Sequence, residues 1–456
     1  MLLKLEKFIF YLFLFLIPLQ LRAMISWQGS EWDSIFLYLT DLLLVGVFVL
    51  TLINHKTHKS DNSYKTDKTH LFLFLFLFVA LVSVFISNDK SVSIFRFLKL
   101  LEFVFLYIYI MYRKGFIKIA DICRIFVIGG VLQAILAIAQ FFKQSSLGLK
   151  FIEAGTYMPG APGVATFVSG SEKVMRAYGS FPHPNVLGAF LMLAAFSFYW
   201  LWLSNAFKSR KTQMLYVICY MLHVFALFLT FSREVVLTFI FVSFVFFLFR
   251  FFQLRTLYHT EERLQDGKRL MILALFFVVF SIASALFVLP YFKTRFVDIS
   301  LQEEAIDLRF FYNKMAVLMI KEKPILGIGI GNFVDYSHNF PAFLRAANKI
   351  ANSGGLTGHQ IPEWIYQPAH NIYLLIASEI GILGAVLFII FILLKTIKAI
   401  RPIRIKDFSQ VVGPMIFLFI GFLVIGLSDH FFWTLQSGGI MFWLALALTK
   451  TNHQLT

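Results

Sequence analysis

The sequence predicts an all-α, polytopic membrane protein: about twelve transmembrane helices in one integral domain over residues 1–456, with a long outer segment between the ninth and tenth. Two observations carry this. Hydrophobic residues make up 59% of the chain and charged residues only 14%, which removes the several soluble domains that the length alone would imply. The apolar residues also gather into stretches long enough to cross a hydrocarbon core, about 18 residues or more as a helix. Lipid requires each backbone N–H and C=O to be paired within the spanning structure, so such stretches are helices unless a barrel closes. Leu71 to Phe78 alternates Leu and Phe, but both suit lipid, so the run lacks the polar/apolar alternation of a barrel strand.

The candidate spans are residues 8–21, 34–53, 71–87, 95–112, 122–142, 184–203, 214–231, 235–252, 270–290, 370–394, 411–427 and 434–449. The first comes after Lys4 and Lys7, and the residues beyond it, including Arg22 and Trp27, offer no small-residue cleavage site; it is expected to stay as a helix. Orientation is read from Lys and Arg in the short loops. One side holds Lys56, Lys59, Lys65 and Lys68; Arg113, Lys114 and Lys118; Lys208, Arg210 and Lys211; Arg255, Arg263, Lys268 and Arg269; and Lys395, Lys398, Arg401, Arg404 and Lys406. That side is expected to be cytoplasmic, with both termini. Most of the 41 basic residues thus have a topological role, and the net charge of +16 calls for no nucleic acid. Cys123 and Cys219 lie in separate apolar stretches without metal or redox spacing.

Two longer segments remain outside, a shorter one over 143–183 and a longer one over 291–369. Such loops are where function concentrates. Within the longer one, Leu308, Phe311, Tyr312, Met315, Leu318 and Met319 recur at helical spacing up to Pro324. This reads as an interfacial helix, or as one whose apolar stripe packs on the bundle. The run Gly327-Ile-Gly-Ile-Gly331 lacks the strand and crossover helix of a nucleotide site, and reads as a flexible or closely approached turn. His223, alone inside a span, reads as a satisfied polar contact between helices.

Three clusters at the outer ends of helices carry candidate chemistry, because charged groups near a membrane are costly unless paired or used. In Arg176-Ala-Tyr-Gly-Ser-Phe-Pro-His-Pro-Asn185, the glycine and prolines fix an irregular backbone, Asn185 is placed to cap the next helix, and Arg176 either binds an anion or snorkels. Ser232-Arg233-Glu234 sits in a minimal turn, where Arg233 either meets a phosphate or pairs with its neighbour. The third cluster is His370-Asn371 followed by Glu379, Gly381 and Gly384. His370 falls near a helix N-terminus, which favours the neutral imidazole able to take a proton. Glu379 lies nine residues on, roughly 13 Å deeper at 1.5 Å per residue, and reads as a buried carboxylate bridging helices.

In order and spacing, these clusters resemble the O-antigen ligase and O-antigen polymerase superfamily of bacterial membrane glycosyltransferases. The matching residues are Arg176, Gly179, Phe181, Pro184 and Asn185; Ser232-Arg233; Arg309 through Pro324, Gly327 and Gly329 to Gly331-Asn332-Phe333; and His370-Asn371 with Glu379, Gly381 and Gly384. The resemblance implies a metal-independent, cofactor-free transfer of a glycan from an undecaprenyl-diphosphate carrier to a lipid, glycan or protein hydroxyl, outside the cytoplasm and among membrane lipids. Under it, His370 is the catalytic base and Arg176, Arg233 and Arg309 hold the diphosphate, with Asn185, Ser232, Asn371 and Glu379 in support; no metal is bound. Ligase and polymerase stay open. A transporter or flippase of lipid-linked oligosaccharide is the alternative, although carriers place such sites near the midplane; a purely structural membrane protein is a third class.

The charge pattern places Ser353 outside and Ser209 inside. A cysteine at Ser353 should therefore react with an impermeant maleimide in intact cells, and one at Ser209 should stay unlabelled until the membrane is opened; the reverse pattern would invert the whole assignment.

Overall fold

The computed structural model describes residues 1–54, 67–113, 116–161, 163–169, 172–207, 209–256, 261–292, 304–353, 361–400 and 413–449. Along the chain run α1 (Leu2–Leu16), a hairpin of β1 (Arg22–Ser26) and β2 (Ile35–Tyr38), α2 (Leu39–Ile53), α3 (Thr69–Ile86), α4 (Lys90–Tyr112) and α5 (Ile119–Lys143). A second hairpin, β3 (Thr166–Ser169) with β4 (Glu172–Met175), precedes α6 (Pro184–Leu203), α7 (Arg210–Leu229), α8 (Arg233–Thr256) and α9 (Glu261–Phe292). Next come α10 (Glu304–Glu322), α11 (Phe333–Asn339), α12 (Pro341–Ser353), α13 (Ile372–Ile400), α14 (Pro414–Ile425), the single turn α15 (Phe431–Thr434) and α16 (Gln436–Leu448).

Each of the twelve apolar stretches falls on a helix. Seven helices, α3, α5 to α9 and α13, are long and apolar enough to cross a membrane; α2, α14 and α16 are shorter apolar helices. The protein is thus helical and multi-pass, with two small antiparallel hairpins that hydropathy does not predict. Residues 34–38 are expected in the second span; Ile35–Tyr38 is instead β2, and α2 begins after it, where the Tyr38 N–H donates to the Asp41 carboxylate at 2.9 Å. The final stretch is likewise split, because the extended backbone at Leu435 separates α15 from α16.

The bundle is organised around α6. Every residue from Pro184 to Trp202 is buried, as expected of a helix that is apolar on all sides. It packs against α5, α7, α8, α9, α14 and α16. Outer helices keep one apolar face uncovered, as at Leu237, Phe241 and Phe244 on α8 or Met271 and Leu275 on α9, the surface that lipid would cover. Charges inside the bundle are paired: Glu6 with Arg113 at 2.8 Å, and Asp67 with Lys395 at 2.8 Å. His223 holds the Val127 carbonyl at 3.0 Å, the satisfied contact expected of it.

α13 is broken at Gly381, whose φ of 82° and ψ of 170° lie outside the range of other residues. A break frees carbonyls that must find new partners in a low-dielectric bundle. The glycine run supplies them: Ile328 N–H donates to Ser378 O at 2.9 Å and Gly329 N–H to Glu379 O at 2.9 Å, while Ile382 N–H donates to Pro324 O at 2.8 Å. The run is therefore a closely approached turn. A Cβ on Gly327 would stand 2.5 Å from the Ser378 carbonyl. α10, just before this seam, buries Phe311, Tyr312, Met315, Ala316 and Met319 against α12 and α13, so its apolar stripe packs on the bundle.

A methyl group at Gly381 would collide with the Ile325 carbonyl in a backbone region that alanine avoids. Gly381→Ala should cost on the order of 1–3 kcal/mol or more, read as a lowered melting temperature in detergent. Gly267→Ala, in open space on α9, should be neutral or slightly stabilising.

Candidate functional site

Five distant pieces of chain meet at one end of the bundle: residues 176–185, the 230–234 turn, α10, the residues before α13, and the link between α14 and α15. Gln133 and Gln140 of α5 shape the first. Gln140 Oε1 accepts from Gly179 N at 2.8 Å, and Gln133 Oε1 accepts from Ser180 N at 2.8 Å. Gly179 has φ of 60°, and a side chain there would meet Gln133. α6 then starts at Pro184, capped by His183 Nδ1, which accepts from Asn185 N at 3.2 Å. The cap expected at Asn185 is therefore corrected; the histidine takes the role and releases the amide for another.

The Asn185 side chain makes three hydrogen bonds within the cluster. Its Oδ1 accepts from Arg176 Nη2 at 2.6 Å, and its Nδ2 donates to Glu234 Oε1 and to Asp429 Oδ2, both at 2.7 Å. Arg176 is buried, and its Nε donates to Thr230 O at 2.7 Å. It thereby ties the first cluster to the turn in which Phe231 adopts φ of 46° before Ser232 and Arg233. Arg233 opens α8 and is partly exposed; Ser232 is buried. Glu234 pairs across the site with Arg309 at 3.3 Å rather than with its neighbour, and accepts from Ser428 Oγ at 2.9 Å.

His370 lies two residues before α13. Asn371, not His370, caps that helix, its Oδ1 accepting from Tyr373 and Leu374 N–H at 3.0 Å each. The His370 ring stacks on Tyr312 at 5.5 Å and meets His430 edge-on at 4.7 Å. Arg309 and Tyr312 stand one turn apart on α10, so this helix brings a cation and a ring to the same histidine. The His370 Nδ1 is buried and makes no hydrogen bond to the described residues. His430 Nδ1 lies 2.7 Å from Thr434 Oγ1. Glu379 is deeper, accepting from Trp433 Nε1 at 2.9 Å, and so bridges α13 to α15. Of the other outer histidines, His338 stacks on Tyr366 at 3.9 Å, and His359 lies outside the described residues.

Burial pushes the His370 imidazole down to about 3, with His430 and Arg309 lowering it further and Asp429 opposing. Burial likewise lowers His430 to about 4 and His183 to about 3. Burial would raise the Asp429 carboxyl, but His430 and His370 in their protonated forms, together with Arg309, outweigh it and hold the group below the usual carboxylate range. The site therefore combines neutral imidazoles, a carboxylate and a partly exposed guanidinium. Among the described residues, no three His, Cys, Asp or Glu side chains are grouped to hold a metal ion.

Residues 217–389 match the O-antigen ligase family. This match supports the O-antigen ligase and polymerase superfamily and a bacterial membrane glycosyltransferase of ligase or polymerase type. No curated protein matches the chain. The O-antigen ligase domain contains Ser232, Arg233, Arg309, His370, Asn371 and Glu379, whereas Arg176, Asn185, Asp429 and His430 lie beyond it in sequence and join it in space. Neither Asp429 nor His430 belongs to a motif legible in the sequence. Their signal is an acid and a histidine between two apolar stretches, which the cost of charge in a membrane marks as functional.

Because these histidines are neutral when folded and titrate near 6.5 when unfolded, the unfolded chain binds more protons below that pH. Stability should hold above about pH 6.5 and fall from there toward pH 4, each histidine contributing on the order of 1 kcal/mol per unit. Thermal unfolding across this range should show a shallower slope in His430→Gln than in the unsubstituted protein.

Proposed function

We propose that this protein transfers a glycan from an undecaprenyl-diphosphate carrier to an acceptor hydroxyl, as an O-antigen ligase-like or polymerase-like enzyme on the outer face of the bacterial cytoplasmic membrane, with both termini inside. The observation that carries this reading is a neutral, recessed His370 beside a partly exposed Arg309, both within the O-antigen ligase domain or at its contacts.

In the proposed reaction the acceptor oxygen attacks the anomeric carbon, and its proton passes to His370. The bond from that carbon to the diphosphate oxygen breaks, and undecaprenyl diphosphate leaves with the electron pair. Arg309 and Arg233 stabilise the charge that develops on it, with no metal required. Arg176, committed to Thr230 and Asn185, supports the diphosphate site through the turn that presents Arg233. Asn185 and Asn371 hold their backbone segments in place, and Ser232 is buried in the turn before Arg233. Asp429 favours the imidazolium as the proton arrives, which is how a histidine with so low a resting affinity can serve as a base.

His370→Ala and His370→Gln should both reduce transfer by roughly 100-fold or more in the purified protein supplied with undecaprenyl-diphosphate oligosaccharide and acceptors. Glutamine keeps a hydrogen bond but takes no proton, so near-normal transfer by His370→Gln would move the base elsewhere. Arg233→Ala and Arg309→Ala should each weaken donor use by about 1–3 kcal/mol, with lysine restoring only part, since an ammonium cannot reproduce the guanidinium fork. Unchanged donor kinetics in both alanine variants would remove the arginines from the diphosphate site.

A further inference from the structure

Beside the histidines a second feature opens that the proposed reaction does not use. A pocket lies between the β1–β2 hairpin, the first half of α4, the Ile330–Val334 segment and the α15–α16 link. Small-ligand pockets combine apolar walls with a few placed polar groups. Here the walls include Trp32, Tyr38, Phe95 and Trp433. Its polar lining includes Lys99, Glu379 and Gln436. Behind that lining, Lys99 pairs with Asp41 and, at 3.3 Å, with Glu102, while Gln436 Nε2 donates to Asp41 Oδ1 at 2.5 Å. Arg22 and Glu31, paired with each other, stand at the rim.

Ionisable groups inside a membrane bundle face cavities and mark substrate paths, and the lining narrows what this cavity takes. A polyprenyl tail would strip water from the ionic lining and rim without returning a hydrogen bond. A phosphate would need open cations, yet Lys99 and Arg22 already hold carboxylates, and Arg96 donates to the carbonyls of Thr434 at 2.7 Å and Trp32 at 2.8 Å. A sugar ring meets both demands: its C–H faces lie on aromatic rings, and its hydroxyls both donate and accept along a lining of mixed charge. The pocket also communicates with the histidines. Trp32 in its wall meets the His430 ring edge-on at 5.1 Å, and Thr434 in its wall holds His430 Nδ1.

We propose that this pocket is a saccharide subsite, seating one sugar unit of a glycan substrate next to the reacting centre. As a substrate subsite the assignment rests on the transferase reading; as a sugar-binding pocket it is tested on its own. The full-length protein in lipid nanodiscs is titrated with free oligosaccharide released from the donor. Phe95→Leu, which keeps bulk but removes the ring face, should weaken binding about 10-fold, and Phe95→Tyr should not. Should Phe95→Leu fail to fold, Tyr38→Leu tests the hairpin wall in the same way. In transfer assays a rise in KM for the donor alone assigns the sugar to the donor, and a rise for the acceptor alone to the acceptor; kcat should stay within about two-fold. Unaltered oligosaccharide binding in the folded variants would overturn the proposal, as would an equal loss of affinity for glycan-free undecaprenyl diphosphate. If the unsubstituted protein binds the oligosaccharide through Phe95 yet transfers nothing, the subsite stands and the transferase reading fails.

Discussion

At Gly381 a helix inside an apolar bundle stops obeying its own ladder, and the carbonyls of Ser378 and Glu379 turn to another chain segment for their protons. The segment that answers, Pro324 to Gly329, is the continuation of α10. This backbone seam joins α10 to α13 over several residues, and side-chain repacking cannot slide it. Arg309 and Tyr312 on α10, and His370 before α13, therefore meet in one register. The glycines are required because the two backbones touch, leaving no room for Cβ atoms between them.

Around that seam the charges form a closed arrangement. Asn185 is neutral and links Arg176, Glu234 and Asp429 without adding charge of its own. The Glu234 and Asp429 carboxyl groups share the Asn185 amide, and Arg309 lies where both feel it. Salt bridges in a desolvated place gain little unless every remaining lone pair is served; Ser428 and the backbone N–H groups of His430 and Phe431 serve several of them. The imidazoles stay neutral between these groups.

The helical, multi-pass class is legible because hydropathy over some 18 residues is a strong and local signal. So are the ends where chemistry gathers: Arg176, Asn185, Arg309 and His370, picked from separate motifs, do converge. Long-range pairing is another matter. Nothing local tells Glu234 to prefer Arg309 over Arg233, or Asn185 to leave the helix cap to His183. Asp429 and His430 have no motif around them, and their long-range partners His370, Asn185 and Trp32 lie some 60 to 400 positions away in the chain. The hairpins escape for a related reason: Ile35–Tyr38 is as apolar as the helix it precedes, and hydropathy alone does not separate the two.

The site's dependence on Asp429 and His430 has a consequence for how the protein comes into being. Its basic turn at Arg233 is made first, its histidine at 370 well after that, and its carboxylate at Asp429 later still. A nascent chain held at the membrane with α14 unfinished carries the guanidinium groups without their full set of counter-charges. The order of the segments thus makes the complete charge set wait for Asp429, and every nascent chain that stops short of it lacks the assembled site.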